Sequence, residues 1–431
     1  MNEHVLSVLS VGNGWMTGEE LQSWYSRQLP ERFIERKQTV IPGDKAVLVV
    51  GPRQAGKSTL LWKSLAETGR STLMINCEEP SLREWLTSPA LVAADLKASF
   101  PDRPYILLEE VQHLAEAGLF LKGLVDLKTG FQILATGSSA FDLESRTRES
   151  LAGRARRHLL LPFSLDELSG AEEVHPALKD KQRTAMLKRL AVLGGYPAVA
   201  SSATPEIELS HLLESFIIRD ASDRFRIRHI DAFRRLMELM ARQIGNLCNY
   251  SEWSSILGIS NDTVSNYIDL LEDSHIVRRV RPYAGGRRAE ITGTPKIYFL
   301  DNGIRNRLTG NFAAFGQRDD SGALLENLVF SELAKLTHPL LDSIDFWRSK
   351  AGGEVDFVVH TKGRVLPVEV KISARPGRLT RSQHSFIQAY QPEEFWILHT
   401  GQEDEEKKIA TTRVRWLPIH RLSREISSFN R

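Results

Sequence analysis

The chain has 431 residues, too many for one ordinary hydrophobic core, so two to four domains are expected. Its 42% hydrophobic and 26% charged residues exclude a disordered or fibrous chain, and 56 basic against 54 acidic side chains (net +2) exclude a globally polyelectrolyte one; only local clusters of charge can select a partner. No apolar run approaches the roughly 20 residues that span a bilayer, and Cys77 and Cys248 lie far apart without metal-ligand spacing. The expectation is a cytoplasmic protein with buried thiols and no membrane partner.

Residues 1–38 read as short helices leading into the first sheet and carry no recognisable chemistry. From residue 39 to 161, strand-like runs (Ala46–Val50, Ser71–Asn76, Tyr105–Leu108, Gln132–Ala135) alternate with helical ones (Ser58–Thr68, Leu119–Asp126). That alternation predicts an α/β fold with a mostly parallel sheet covered on both faces.

The first strand runs into Gly51-Pro-Arg-Gln-Ala-Gly-Lys-Ser58, with an apolar helical pattern behind it. Glycines allow backbone N–H groups to turn around a polyphosphate, and the helix start adds its positive dipole end. Gly51, Pro52, Arg53, Gln54, Ala55, Gly56, Lys57, Ser58 and Thr59 are therefore the predicted ATP contacts, with Lys57 on the β- and γ-phosphates and Ser58 on Mg2+. Tyr105-Ile-Leu-Leu-Glu109-Glu110 is an apolar strand ending in two carboxylates. Glu109 is the candidate for the Mg2+ shell and Glu110 for the base acting on water. A third strand ends at Thr136-Gly-Ser138-Ser139, where Ser138 either meets the γ-phosphate and water or caps a helix. Arg154, with Arg156 and Arg157, is either a source of transition-state charge stabilisation, in cis or across a subunit boundary, or a solvated basic turn.

The order of these motifs resembles prokaryotic AAA-type ATPases: Gly51–Ser58, Glu109–Gln112, Thr136–Ser139 and Leu151–Arg154 stand where that family has its own. One departure is Glu109, where the family usually has Asp; the extra methylene implies a displaced Mg2+ contact and slower hydrolysis. The resemblance also covers Leu161-Pro-Phe-Ser-Leu-Asp-Glu-Leu168 and Gly194-Gly-Tyr-Pro197 and implies a helical lid over residues 162–228. The glycine pair there is read as a structural turn, with direct nucleotide contact as the alternative.

Residues 229–310 carry helical patterns at Ala232–Gln243, Ser251–Gly258 and Asn261–Leu271, then strands at Ile276–Arg281 and Lys296–Leu300. This order looks like a winged helix. Arg278, Arg279, Arg281, Arg287 and Arg288 would give it a basic wing for DNA phosphates, whereas Asp262, Asp269, Glu272 and Asp273 make the second helix acidic. The alternative use of such a module is protein packing.

Residues 311–431 hold a helix with Glu326, then Gly353-Glu-Val-Asp356-Phe-Val-Val359 and Val365-Leu-Pro-Val-Glu369-Val-Lys371, joined through Lys362-Gly363. Period-two alternation lets Asp356, Glu369 and Lys371 converge. Carboxylates sharing a divalent ion beside a lysine suit metal-dependent phosphodiester cleavage. The arrangement resembles the PD-(D/E)xK nuclease fold, which implies Glu326 as its helix acid, Asp356 and Glu369 as metal acids and Lys371 as its lysine. The overall expectation is an ATP- and Mg2+-dependent AAA-type ATPase acting on or with DNA, where motor action on duplex or branched DNA would require a homo-oligomer. A nucleotide-controlled protein-interaction switch and an ATP-gated nuclease are the alternatives.

Overall fold

The computed structural model describes residues 14–30, 33–43, 45–138, 151–171, 174–218, 221, 227–283, 293–375 and 377–430. The chain divides into two compact units, one of Met1–Leu161 with Asp273–His275, the other of Pro162–Glu272 with Ile276–Arg431.

The first unit is built on six strands: β1 (Trp15–Met16), β2 (Ala46–Gly51), β3 (Thr72–Asn76), β4 (Tyr105–Glu109), β5 (Ile133–Ser138) and β6 (Ala155–Leu159). Their order is β1-β3-β4-β5-β2-β6. β2 to β6 run parallel, as the alternation of strand and helix predicts; β1 adds an antiparallel edge that the sequence reading lacked. All six residues of β2 are buried, since helices cover both faces. Ala46, Leu48 and Val50 pack with Val92, Phe120 and Leu121 on one side. Val47 and Val49 pack with Leu60, Leu61 and Leu65 of the Lys57–Ala66 helix on the other. The register pairs Gly51 with Ser138 and Asn76 with Glu109, so the strand ends share one carboxyl edge.

In the second unit, one hydrophobic core takes Tyr196, Val199, Leu209 and Leu213 together with Phe233, Met237, Trp253, Ile268, Ile297 and Ile304. The segment expected to be a separate lid thus closes around the same core as the helices that follow it, and position 228 is no boundary in packing. The Ile230–Arg242 helix shows why: Phe233, Leu236, Met237 and Met240 fall on one face at helical spacing, all fully buried. Helices Tyr250–Leu257 and Asn261–Asp273 follow, then the antiparallel ribbon of β7 (Val277–Val280) and β8 (Lys296–Phe299).

Gly194 and Gly195 are structural. Gly194 has φ +72, and a Cβ there would lie 2.1 Å from Asp301 Oδ1. Gly195 N donates to Asp301 Oδ2 at 2.7 Å, while Ile304 N donates to Oδ1 at 3.1 Å, capping the Asn302–Thr309 helix.

Nearby, Arg318 and Arg305 both hold Asp320, the former at 2.7 Å. Their hydrogen bonds pull its carboxyl down to about 2. A depressed carboxyl stabilises the fold above its ordinary pKa and loses that contribution as pH falls toward the folded value. Asp320→Asn is therefore expected to cost about 2 kcal/mol at neutral pH. The same change should flatten acid unfolding between about pH 4 and 2, checked by urea titration across that range.

The last sheet has the order β13-β14-β12-β11-β10-β9, from β9 (Ser343–Arg348), β10 (Glu354–Thr361), β11 (Arg364–Lys371), β12 (Glu394–His399), β13 (Glu405–Ile409) and β14 (Thr412–Pro418). Lys362 (φ +50) and Gly363 (φ +77) make the tight turn between β10 and β11. Against β9, β10 carries a bulge between Val355 and Val358. Both valines consequently face the same core, with Trp347, Phe386 and Trp416, despite their odd spacing. Phe357 turns the other way, toward Phe330 of the Ser321–Leu336 helix.

Candidate functional site

The first site begins where β2 ends. Gly51 has φ +154, and a Cβ on it would sit 2.1 Å from the carbonyl oxygen of Leu160, so only glycine lets the chain turn there. Gly56, with φ +91, starts the Lys57–Ala66 helix. Lys57 is 5% exposed, and its Nζ donates to the carbonyls of Gly51 at 3.2 Å and Pro52 at 3.0 Å. The ammonium thus lies over its own loop, held by oxygens that phosphate oxygens can replace. At the second position of that helix, Ser58 hydrogen-bonds the carboxylate of Glu109, opposing the burial that pushes the Glu109 pKa up. The hydroxyl and the acid assigned to Mg2+ are therefore adjacent, although they stand 51 positions apart in the sequence.

Glu110 leaves the strand with φ +55, a left-handed backbone unusual for glutamate. Its N–H donates to Thr136 Oγ1 at 3.0 Å, and its carboxylate accepts from Gln112 Nε2. One ligand atom from each of Glu110, Glu78 and His113 lies within 4.8 Å of the others, with His113 Nε2 3.2 Å from Glu78 Oε1. Glu78, His113 and the fully buried Thr136 have no role in the sequence reading. Glu78 was legible in principle, because it follows β3 at the edge that also receives Glu109.

Two expected contributors do not join Lys57 by the same route. The Ser138 backbone pairs with Gly51, but its side chain lies outside the described residues. Arg154 precedes β6, and β6 parallels β2 with Ala155 opposite Ala46. Arg154 therefore sits at the amino end of β2, about 16 Å of strand from Gly51, and its Nε bonds Asp126 at 2.6 Å. Of the alternatives open for Arg154, this strand direction disfavours action in cis at the phosphate loop.

The basic wing is also changed. The Arg279 guanidinium is held by Asp269 and Glu272 of the preceding helix, and its N–H donates to Glu272 as well. Arg278 is buried enough to lower its pKa. Arg281 is exposed, and Arg287 and Arg288 lie outside the described residues.

The second site is the β10–β11 hairpin with the Ser321–Leu336 helix. Phe357 faces Val368, which places Asp356 beside Glu369, and Val370 N donates to Asp356 Oδ2 at 2.7 Å. Lys371 Nζ lies 2.7 Å from Glu369 Oε1, while Glu369 Oε2 is buried without a hydrogen-bond partner. Burial, reinforced by the charge of Asp356, pushes both Glu326 and Glu369 up to about 7. Burial opposes protonation of Lys371, but Glu369 and Asp356 outweigh it and raise its pKa. The four residues picked from sequence thus feel one another electrostatically. Two more from β8 were missed: Tyr298 donates its hydroxyl to Glu326, and Lys296 pairs with Glu354 and lies 3.5 Å from Glu326. A lysine heading a strand that is otherwise apolar and ends at a fully buried Phe299 was the available signal.

Residues 43–169 match the family model described as AAA domain. Residues 184–314 and 321–422 match two models described as domains of unknown function, DUF8612 and DUF4143. An uncharacterised protein of Mycobacterium tuberculosis is 28% identical over 364 residues, covering 83% of this chain and 76% of that protein. An uncharacterised protein of Haemophilus influenzae is 26% identical over 359 residues, covering 79% and 84% respectively. The solved structure of Cdc6p from Pyrobaculum aerophilum is 14% identical, covers 68% of this chain and 94% of that one, and has a TM-score of 0.24, too low to bear on function. The first unit is an α/β domain on a mostly parallel sheet, and the match to the AAA domain model falls on it; no helix among the described residues is long and apolar enough to cross a membrane.

Proposed function

We propose that this chain binds and hydrolyses Mg-ATP at the Gly51–Ser58 loop and acts with DNA as its partner. The observation that carries the ATPase reading is the meeting of Ser58 with Glu109 beside the loop over which Lys57 is folded. Lys57 would bind the β- and γ-phosphate oxygens, and Ser58 with Glu109 would hold magnesium, which supplies charge neutralisation there. Glu110, fixed through its N–H to Thr136, would accept the proton of the attacking water. Since Arg154 sits at the far edge of its own sheet, any action of it on a phosphate is in trans, in a homo-oligomer.

A second reading is favoured by the grouping of Asp356, Glu369, Lys371 and Glu326. It is a PD-(D/E)xK-like centre for metal-dependent phosphodiester cleavage, carried by the same chain behind a winged helix. With Arg279 neutralised internally, DNA contact falls to Arg281, Arg287, Arg288 and this centre. The competing reading, a protein-interaction switch, gives the DNA no role.

One experiment separates the three. ATP turnover is measured with Mg2+, with and without single-stranded, duplex and four-way DNA at two salt concentrations, and the DNA is then inspected for Mn2+-dependent cuts. Turnover raised by DNA and suppressed by salt supports the main reading; turnover indifferent to DNA supports the switch. Cutting that vanishes in Asp356→Ala supports the nuclease, and equal cutting by both proteins rules that centre out. Absence of any ATP turnover overturns the proposal.

A further inference from the structure

We infer that the acidic centre between β10 and β11 takes one divalent cation, and that the ammonium of Lys296, delivered by β8, holds the place of a second. This rests on reading the centre as a metal site.

Three observations lead there. First, one carboxylate oxygen of Glu326 is already engaged. Its Oε1 accepts the Tyr298 hydroxyl and lies 3.5 Å from Lys296 Nζ. Lys296 itself is 4% exposed, pairs with Glu354, and has the ring of Phe346 centred 5.3 Å from its charge. Tyr298, fully buried, stacks on Phe330 with centroids 4.9 Å apart. Neither β8 side chain can leave without abandoning that packing.

Second, Glu326, Asp356 and Glu369 do not bring three ligand atoms within 4.8 Å of one another; among the described residues, the group that does so is Glu78, Glu110 and His113. What remains for a cation is the adjacent pair from the hairpin. Glu369 is 5% exposed, and its Oε2 has no hydrogen-bond partner. Asp356 commits Oδ2 to Val370 N. A buried carboxylate oxygen left without a donor costs folding energy unless something positive meets it.

Third, the charges count toward one ion. The carboxylates of Glu326, Glu354, Asp356 and Glu369 face the cations of Lys296, Lys371 and, at the rim, Arg348, 3.7 Å from Glu354. With all ionised, one divalent ion brings the sum to +1. A second would bring it to +3 in a buried site, which is strongly disfavoured.

The test counts Mn2+ bound to the nucleotide-free full chain at pH 8, by the electron paramagnetic resonance signal of the free ion. Only ions lost in Asp356→Asn are assigned to this centre. The expected count is one for the native chain, one for Glu326→Gln, and two for Lys296→Met, whose fold is checked by circular dichroism. Two Asp356-dependent ions in the native chain, loss of the ion in Glu326→Gln, or a count still at one in folded Lys296→Met would each overturn the inference. Should Lys296→Met not fold, the native and Glu326→Gln counts decide. Absence of any Asp356-dependent ion would overturn the metal-site reading underneath, a result distinct from a count of two.

Discussion

Lys57→Ala is expected to lower ATP turnover at least about 100-fold, a loss near 2.7 kcal/mol of transition-state stabilisation, and to weaken Mg-ATP binding with it. The ammonium is buried and donates to carbonyls of its own loop that phosphate oxygens can displace, so the variant loses that positive charge at the phosphates. Glu110→Gln should behave differently. Its carboxylate contributes no charge to the phosphates in this reading, so binding survives while turnover falls by about 100-fold or more. Equilibrium binding of a fluorescent ATP analogue and phosphate release, measured on both variants, separate the roles. Unchanged Mg-ATP affinity in folded Lys57→Ala would mean that the nucleotide binds elsewhere. Loss of binding in Glu110→Gln would place that side chain in the phosphate shell rather than beside the water.

The contrast between these two residues also shows what could be read without coordinates. The Gly51–Ser58 loop was legible because its constraints are local: two glycine conformations, one lysine and one hydroxyl at fixed spacing before a helix. Glu109 followed from strand polarity alone, since parallel strands end at one edge. For Arg154 the choice between action in cis, action across a subunit boundary and a solvated turn stayed open in the sequence, because its position depends on where the following strand enters the sheet, and β6 begins beside the start of β2. The sequence spacing of Arg154 from Lys57 says nothing about that entry point.

At the acidic hairpin, period-two alternation groups Asp356, Glu369 and Lys371, but it gives no sign of the bulge that puts Val355 and Val358 on one face. Lys296 and Tyr298 were invisible for a different reason. Their meeting with Glu326 is a tertiary contact between segments assigned to separate domains, which no local pattern in either segment records. The same applies to Arg279, whose partners Asp269 and Glu272 were noted as acids opposing DNA but not as its own counter-ions. Charge composition showed both signs present; only packing shows which charges are spent internally.

The second large effect is expected at Asp301, which ties the Gly194–Gly195 turn to the start of the Asn302–Thr309 helix in the second unit. Its carboxylate is 3% exposed and accepts from Gly195 N and Ile304 N at 2.7 and 3.1 Å, with a further backbone bond from Gly303. Asp301→Ala leaves these buried donors without an acceptor and opens space beside Gly194. The expected cost is about 3–5 kcal/mol, more than a simple deletion of one hydrogen bond, because every orphaned N–H keeps its desolvation penalty. Asp301→Asn keeps the volume and one acceptor oxygen but turns an amide donor toward a donor, for about 1–2 kcal/mol. Urea unfolding followed by tryptophan emission reads this, since Trp253, Trp347, Trp396 and Trp416 belong to the second unit and are buried. Mg-ATP affinity should stay unchanged in Asp301→Asn, because Gly194 and Gly195 form a turn clamped by a carboxylate and not a nucleotide contact. A shift in that affinity with no change in the urea midpoint would reverse the assignment and return the glycine pair to the nucleotide.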